Sequence, residues 1–313
     1  MRILSIAPSR LSFFGGGTDT PYYAKEYGGA VINMAINIRQ HTTLYSEDDI
    51  FGVQNRFPPQ ATPDFYYDIF KHYKIDGVHH TKIISEFDGF IKSGLGSSGA
   101  AGVSVIGAIN KLLNLGMSRY DIAQEAWQHE IDFGIYTGKQ DQFASVYGGL
   151  NYMRFTDKVD VVKLSVPDFD EFLSWISVFY IGQGEKDYRV QEKFKQLTAK
   201  KLRSLDILKY ITGLALPLFQ LGRYDEIAEL LNLTWHYKKE SSNVTNAKID
   251  KIYSEALKAG AIGGKICGSG LGGYMVFLCP PQKREIFIKK MNDIHIEDVD
   301  FTIDTQGLEA RIL

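Results

Sequence analysis

The sequence has little cysteine, no long apolar run and no excess of either charge. Only Cys267 and Cys279 occur among 313 residues, so a disulfide framework is not expected and a reducing compartment fits better. Lys and Arg number 35 and Asp and Glu 37, and no basic run is present, which argues against a nucleic-acid partner. No apolar run reaches the roughly 18 residues of a membrane span, and the first residues, MRILSIAPSR, lack the pattern of a signal peptide. We therefore expect a cytoplasmic protein without a nucleic-acid or membrane partner.

What is present is the composition of an ordinary globular protein. Hydrophobic residues make up 44% and charged residues 23%, enough for one large or two medium domains. Apolar and β-branched stretches predict strands in RILSIAPSRLSFFGG, GAVINMAINIRQHTTLYSED and TKIISEFD. Helical spacing begins at Ser97 or Ser98, either of which we expect to cap a helix, and it returns after Ser118 and in KQDQFASVYGG.

The second half of the chain is expected to contain more helix. Three helices are predicted near residues 203–221, 223–240 and 246–260, followed by two strands around a glycine turn, one more helix and a closing strand, EDVDFTIDTQGLEARIL. Because strands and helices mix without regular alternation, the pattern predicts an α+β fold. We place two domains at residues 1–160 and 161–313.

Two glycine clusters, GLGSSG at 94–99 and GSGLGG at 268–273, match the spacing G-x-G-x-x-G. A dinucleotide-binding fingerprint would need a helix, a strand and then an acidic residue about 20 positions on. Here helix follows helix, and the next acidic residue, Asp121, lies at a helix start. The common phosphate loop is also absent, since no lysine follows either cluster. Neither standard nucleotide motif therefore explains these glycines.

The first cluster still has the features of a phosphate cradle. Gly94 and Gly96 let backbone N–H groups approach an anion without a Cβ in the way. Ser97 and Ser98 begin a helix whose free N–H groups and dipole favour phosphate, and a serine hydroxyl could also reach Mg²⁺. With no lysine in the loop, the compensating positive charge must come from a metal ion, held by a carboxylate elsewhere, and from another cation.

Four segments in a fixed order resemble the GHMP kinase superfamily, which includes galactokinase, homoserine kinase and mevalonate kinase. They are APSRLSFFGGGTD at 7–19, GLGSSGAAG at 94–102, GKQDQFASVYGG at 138–149 and GGKICGSGLGGYM at 263–275. The match spans nearly the whole chain. The resemblance implies a ribosomal-S5-like α/β domain at the N-terminus and a ferredoxin-like α+β domain at the C-terminus, with the active site between them.

The same resemblance implies roles for individual residues. Asp141 takes the place of the catalytic aspartate, which acts as a general base or orients the substrate hydroxyl. Arg10 stands where many relatives have lysine, and Lys139 is a further catalytic candidate. Ser98 and Glu130 are expected to hold Mg²⁺. ATP is expected on a loop made of Gly94, Leu95, Gly96, Ser97, Ser98 and Gly99.

Two positions depart from the family pattern. Phe90 replaces the proline that usually stands four residues before the loop, and Gly99 replaces the usual alanine or serine. The first change should alter how the chain leads into the loop, and the second should make the helix start more flexible. Neither removes a catalytic group, so we expect activity to be retained.

The substrate is expected from GGGTD at 15–19, which resembles the branch that phosphorylates the anomeric hydroxyl of D-glycero-D-manno-heptose 7-phosphate or of L-fucose. Asp19 would accept two sugar hydroxyls. The wider predicted substrate site is Gly17, Thr18, Asp19, Gly270 and Gly272. The segment from LTWHYKK to GGYM is similar to the heptose 7-phosphate kinases. Within it, Trp235 is interpreted as a residue that packs in the helix contact, and Lys238 as a lysine whose amine is solvated.

The expected function is ATP- and Mg²⁺-dependent phosphorylation of C1 of D-glycero-α-D-manno-heptose 7-phosphate, within nucleotide-activated heptose synthesis. A kinase for an unphosphorylated sugar such as L-fucose and a catalytically silent sugar-binding regulator remain open, as does a homodimer. No spacing selects the cation for the distal phosphate; the candidates are Lys25, Arg39, Lys186 and Arg189. The pair His79-His80 is interpreted as a solvated turn, without metal-ligand spacing near it.

Overall fold

Two β-sheets form the framework of the protein. The computed structural model describes residues 1–46, 52–55, 63–75, 81–90, 94–183, 197–241 and 243–313. The strands are β1 (Arg2–Phe14), β2 (Gly29–Ser46), β3 (Gly52–Asn55), β4 (Thr81–Phe87), β5 (Leu150–Phe155), β6 (Val159–Lys163), β7 (Ile176–Tyr180), β8 (Gly263–Ile266), β9 (Tyr274–Leu278) and β10 (Glu309–Ile312). The helices are α1 (Pro21–Tyr27), α2 (Pro63–His72), α3 (Ser97–Leu113), α4 (Arg119–Asp132), α5 (Gln140–Tyr147), α6 (Phe169–Trp175), α7 (Ala199–Leu221), α8 (Tyr224–Ser241), α9 (Ala247–Ala259) and α10 (Pro281–Asp293).

The larger sheet has seven strands and carries the first half of the chain. Its order is β10-β1-β2-β4-β3, and β5 pairs with the other end of β2 and with β6. All of these pairings are antiparallel except that of β3 with β4. Helix α3 is buried over most of its length, because small and β-branched residues let it pack closely between the sheet and α4 and α5. The helix that follows the first glycine cluster therefore has a rigid support.

The smaller sheet has the order β7-β9-β8 and belongs to the second half of the chain. Helices α7, α8 and α9 agree with the three predicted helices to within a few residues. A single hydrophobic cluster contains residues of both sheets, with Leu11 and Ile32 of the larger sheet and Val178 and Val276 of the smaller one. The mixed arrangement confirms the predicted α+β class, and the shared core fixes the cleft between the sheets.

The end of the chain returns to the first sheet. The predicted closing strand is continuous only over β10, which pairs with β1 in the register Glu309 to Ile6 and Ile312 to Ile3. Ahead of it, the Asp304 carboxylate accepts a hydrogen bond from Arg39 at 2.6 Å and two more from backbone N–H groups. The division at residues 160 and 161 stays a prediction. Among the described helices, none has the length and apolar character needed to cross a membrane.

Candidate active site

A cavity of about 460 Å³ opens between the two halves of the chain. Its walls come from the end of β1, the glycine turn after it, both glycine clusters, the start of α5 and the helices α7 and α8. Of the predicted site residues it is lined by Arg10, Gly17, Asp19, Gly94, Gly96, Ser97, Ser98 and Asp141. Most of the residues that the sequence selected therefore meet in one place.

Arg10 joins Asp141 to the first glycine cluster. Its Nε donates to Asp141 Oδ1 at 2.8 Å, its Nη2 lies 2.6 Å from the same oxygen, and its Nη1 donates to the Gly94 carbonyl at 2.7 Å. The arginine is 4% exposed, and its backbone N–H donates to the Leu95 carbonyl at 2.9 Å. A planar guanidinium with several donors can make these contacts together, which an amine cannot do. Arg10 thus places a cation against the glycine cluster.

The two glycine clusters touch each other through their backbones. A Cβ added to Gly94 would lie 2.4 Å from the Cys267 carbonyl oxygen, and one added to Gly268 would lie 2.6 Å from the Gly94 Cα. Lys238 fixes this contact, because its Nζ donates to the Gly268 carbonyl at 2.8 Å. The prediction that the Lys238 amine is solvated is therefore wrong. Lys238 is buried in the cavity wall, and burial holds its pKa well below the usual range. Trp235 packs in the core as predicted.

Helix α3 starts differently from the sequence prediction. Its N-cap is Gly96 in the left-handed region, with φ of 75°, and no side chain caps the helix, so the predicted serine cap is wrong. The reason is the close approach of α3 to α5. A Cβ on Gly99 would lie 2.9 Å from the Asp141 Cβ, and one on Gly96 would lie 3.0 Å from the Asp141 Cγ. The unusual Gly99 thus gives room for Asp141 next to the loop.

The other departure, Phe90, also has a structural role. Its ring stacks on the Tyr180 ring with centroids 4.1 Å apart, and its backbone N–H donates to the Tyr274 hydroxyl at 3.2 Å. Tyr180 belongs to β7 and Tyr274 to β9. The residue that replaces the family's proline therefore connects the approach to the loop with the smaller sheet. Residues 91–93, which follow it, lie outside the described residues.

Asp19 lies deep in the cavity wall. Its carboxylate accepts hydrogen bonds from the backbone N–H groups of Gly17, at 3.0 Å, and Gln140, at 3.1 Å. Burial, and secondarily the nearby Asp141 charge, raise its pKa. Thr18 does not face the cavity: it is fully buried, and its hydroxyl lies within donating distance of the Gly15 carbonyl in the glycine turn, at 2.8 Å, and of the Ala30 carbonyl in β2, at 2.9 Å. Thr18 therefore shapes the turn that presents Asp19.

Of the two predicted Mg²⁺ ligands, Ser98 and Glu130, only Ser98 lines the cavity. Ser98 lines the cavity, whereas Glu130 is buried on α4, and its carboxylate accepts a hydrogen bond from the Gln142 side chain on α5. A hydroxyl and a carboxylate are the oxygen donors that suit Mg²⁺.

Lys139, the further catalytic candidate, makes its contacts with other residues than Asp141. Its Nζ donates to Gln124 at 3.2 Å and lies 4.3 Å from the Trp127 ring centroid.

The second glycine cluster contributes through other residues than those predicted. Gly270 is buried, and a Cβ there would lie 2.6 Å from the Val244 Cβ. Neither Gly270 nor Gly272 lines the cavity, whereas Gly268 and Ser269 do. The tight glycines hold the shape of the turn, and their neighbours form its surface.

One cavity cation was missed by the sequence analysis. Lys201 on α7 is 8% exposed, lines the cavity and has its Nζ 4.7 Å from the centroid of the Tyr22 ring. Burial lowers its pKa to about 8. Of the four cations considered before, Lys25 is exposed and Arg39 pairs with Asp304, and neither lines the cavity. The other two, Lys186 and Arg189, lie outside the described residues, as do His79 and His80.

Comparison with known proteins shows which family the chain belongs to. The profile of the GHMP kinases N terminal domain matches residues 64–149, and that of the GHMP kinases C terminal matches residues 215–296. The chain is 30% identical to a D-glycero-alpha-D-manno-heptose 7-phosphate kinase of Campylobacter jejuni, with 97% of each chain covered. The chain belongs to the GHMP kinase family. The predicted resemblance and the prediction of a kinase are both confirmed.

Solved structures agree with the GHMP kinase fold. A D-glycero-D-manno-heptose 1-phosphate kinase from Bacteroides thetaiotaomicron superposes with a TM-score of 0.79 at 23% identity, over 99% of each chain. A Lactococcus lactis galactokinase superposes with a TM-score of 0.78 at 18% identity, over 100% of this chain and 95% of the other. At these identities the likeness concerns the fold. ATP is the phosphoryl donor typical of GHMP kinases.

Proposed function

We propose that this GHMP kinase phosphorylates the anomeric hydroxyl of D-glycero-α-D-manno-heptose 7-phosphate, giving the 1,7-bisphosphate for nucleotide-activated heptose synthesis in the cytoplasm. The observation that carries the proposal is the chain of contacts from Asp141 through Arg10 to the Gly94 loop, in a cavity that also presents Asp19. This arrangement provides a base, a cation, a phosphate cradle and a sugar-binding carboxylate. The relative that is 30% identical supports the choice of sugar.

The positions of these groups support the following reaction. The anomeric oxygen forms a bond to the γ-phosphorus of ATP, the bond from that phosphorus to the bridging oxygen breaks, and the hydroxyl proton passes to Asp141. Arg10 holds the Asp141 carboxylate in position through two nitrogens, and it offers positive charge where the phosphoryl oxygens gain negative charge. Backbone N–H groups at the start of α3 hold the phosphates. Mg²⁺, held by Ser98 and Glu130, would neutralise charge on the phosphates.

Asp19 is suited to hold the sugar in register with Asp141. Each of its carboxylate oxygens accepts one backbone hydrogen bond, and a carboxylate has further lone pairs for two sugar hydroxyls. Because the carboxylate is buried and fixed by the backbone, it loses little freedom when the sugar binds. The same fixed position would set which hydroxyl faces Asp141.

Lys201 is the residue that we assign to the distal phosphate. Among the described residues, the cations that line the cavity are Arg10, Lys201 and Lys238. Arg10 and Lys238 lie against the glycine clusters, since Arg10 donates to the Gly94 carbonyl and Lys238 to the Gly268 carbonyl. Lys201 is on the α7 side of the cavity, together with Tyr22. A lysine ammonium is a common phosphate ligand and supports a phosphorylated sugar over a neutral one.

The test is ADP release in the presence of ATP and Mg²⁺, measured with heptose 7-phosphate, L-fucose, galactose, mannose and mevalonate. We expect turnover on heptose 7-phosphate, and loss of at least about 100-fold in kcat for Asp141→Asn, which removes the base without changing its size. Turnover restricted to an unphosphorylated sugar would overturn the substrate and keep the mechanism. Sugar binding without any turnover would instead favour a silent regulator.

A further inference from the structure

Four side chains with metal-binding groups meet on helices α2 and α4, outside the active-site cavity. Asp68 and His72 are one helical turn apart on α2, and Glu125 and His129 are one turn apart on α4. Residues four apart lie on the same face of a helix, so each helix presents one carboxylate and one imidazole toward the other. The proposed function uses none of these side chains.

The distances bring three of them within reach of one ion. His72 Nε2 lies 3.0 Å and His129 Nε2 lies 3.6 Å from the same oxygen, Glu125 Oε1. One ligand atom from each of the three residues lies within 4.8 Å of the others. Ligands at about 2.0 to 2.2 Å from a tetrahedral Zn²⁺ are separated by roughly 3.3 Å, so small rotamer changes would suffice.

His129 gives a second, independent observation. It is 4% exposed, and neither of its ring nitrogens has a hydrogen-bond partner within the part of the chain that the structure describes. A buried polar group without a partner is costly, and each such group requires an explanation. The His129 Nε2 faces Glu125 Oε1 at 3.6 Å, and the His129 Nδ1 faces Asp68 Oδ2 at 4.0 Å. In metal sites a histidine commonly coordinates with one nitrogen while the other faces a carboxylate.

We propose that His72, Glu125 and His129 bind a divalent transition-metal ion, for which Zn²⁺ is the best fit, and that Asp68 orients His129. Two imidazoles and one carboxylate are ligands that suit Zn²⁺, and Mg²⁺ prefers oxygen ligands alone. His72 is 54% exposed at its side chain, so the ion can enter from solvent and keep water as a fourth ligand. The ion would tie α2 to α4, the helix that carries Glu130 immediately after His129.

The experiment uses the full chain, stripped with a chelator and kept in excess Mg²⁺ so that oxygen-only sites are occupied. Zn²⁺ binding is measured by calorimetry, and Co²⁺ is used as a spectroscopic probe because its visible absorption reports nitrogen and oxygen ligands. We expect one Zn²⁺ per chain, a rise in melting temperature with Zn²⁺, and a loss of affinity of about 10- to 100-fold in His72→Gln. His72 is exposed, so this variant should fold.

The matched control is His236→Gln. His236 also faces a carboxylate one helical turn away, Glu240, at 3.4 Å, but no second histidine joins this pair among the residues that the structure describes. This control should bind Zn²⁺ as the unchanged protein does. Equal Zn²⁺ affinity in His72→Gln and in the unchanged protein would overturn the proposal, as would the absence of stoichiometric binding to the unchanged protein.

Discussion

Arg10 shows how one residue can hold two parts of the active site together. Its guanidinium contacts Asp141 with two nitrogens and the Gly94 carbonyl with a third. In Arg10→Lys the charge remains, but a single amine cannot make all three contacts. We expect kcat to fall by about 100-fold, with a smaller change in the stability of the fold, because transition-state charge is no longer held in place. Steady-state kinetics with heptose 7-phosphate measure this.

The control for that substitution is Arg39→Lys. Arg39 Nε also lies 2.6 Å from a buried carboxylate, that of Asp304, but away from the cavity. It should leave kcat within about twofold, since it removes the same kind of contact without touching the site. Equal losses of kcat in the two variants would contradict the assigned role of Arg10.

The pKa of Lys201 predicts how kcat/KM depends on pH. Burial lowers its pKa to about 8, so its ammonium form is present below pH 8 and is lost as the pH rises through 8. If it binds the distal phosphate, kcat/KM for heptose 7-phosphate should fall roughly tenfold between pH 7 and pH 9. Lys201→Arg stays charged over this range, and its profile should be flat there. An unchanged profile in Lys201→Arg would show that another group titrates.

The residues of the site could be predicted to different degrees. Asp141, Arg10 and Asp19 stand inside recognisable segments, so the sequence alone placed them in the site. Lys201 stands in a helix without a motif, and only the packing of α7 against the cavity reveals it. Lys238 was interpreted as solvated because a helix lysine is usually exposed, whereas the backbone contact between the two glycine clusters buries it.

At the scale of elements, the close approach of α3 to α5 sets the position of Asp141. In Gly99→Ala the new Cβ would lie 2.9 Å from the Asp141 Cβ and 3.3 Å from the Gln142 backbone nitrogen. The helices must move apart, although alanine favours helix by about 1 kcal/mol. We expect kcat to fall at least about tenfold while the free energy of unfolding changes by no more than about 1 kcal/mol.

The same helix offers a control for that prediction. In Gly102→Ala the nearest atom to the new Cβ is the Ala126 Cβ at 3.5 Å, an ordinary contact. This variant should keep kcat and gain stability from the helix preference of alanine. Kinetics and urea unfolding of both variants check the pair. Normal kcat in Gly99→Ala would mean that the spacing of α3 and α5 does not position Asp141.

Contacts between elements also explain what the sequence could not predict. The serine cap of α3 was expected from residue preference, but the approach of Asp141 requires a glycine turn instead. His72 and His129 are far apart in the sequence, and no spacing rule connects them. They meet because α2 and α4 are neighbours in the fold. Motifs within one segment can be read from the sequence, whereas sites between segments depend on packing.

At the scale of the whole molecule, the two halves are joined twice. One hydrophobic cluster contains Leu11 of β1 and Val276 of β9, so neither sheet buries its core alone. The chain end then returns to the first sheet through Asp304 and β10. Asp304 is 2% exposed, and its carboxylate accepts hydrogen bonds from Arg39 and from two backbone N–H groups. Both connections favour unfolding as a single unit.

This coupling gives a prediction for Asp304→Ala. Removing a buried acceptor of three hydrogen bonds should lower the free energy of unfolding by about 1 to 3 kcal/mol. Because the halves share a core, the loss should appear equally in both sheets. Hydrogen exchange in increasing urea, followed on peptides that cover β1 and β9, measures each sheet separately. A midpoint that shifts for β1 but not for β9 would mean that the halves unfold independently, and the shared cluster would then be too weak to couple them.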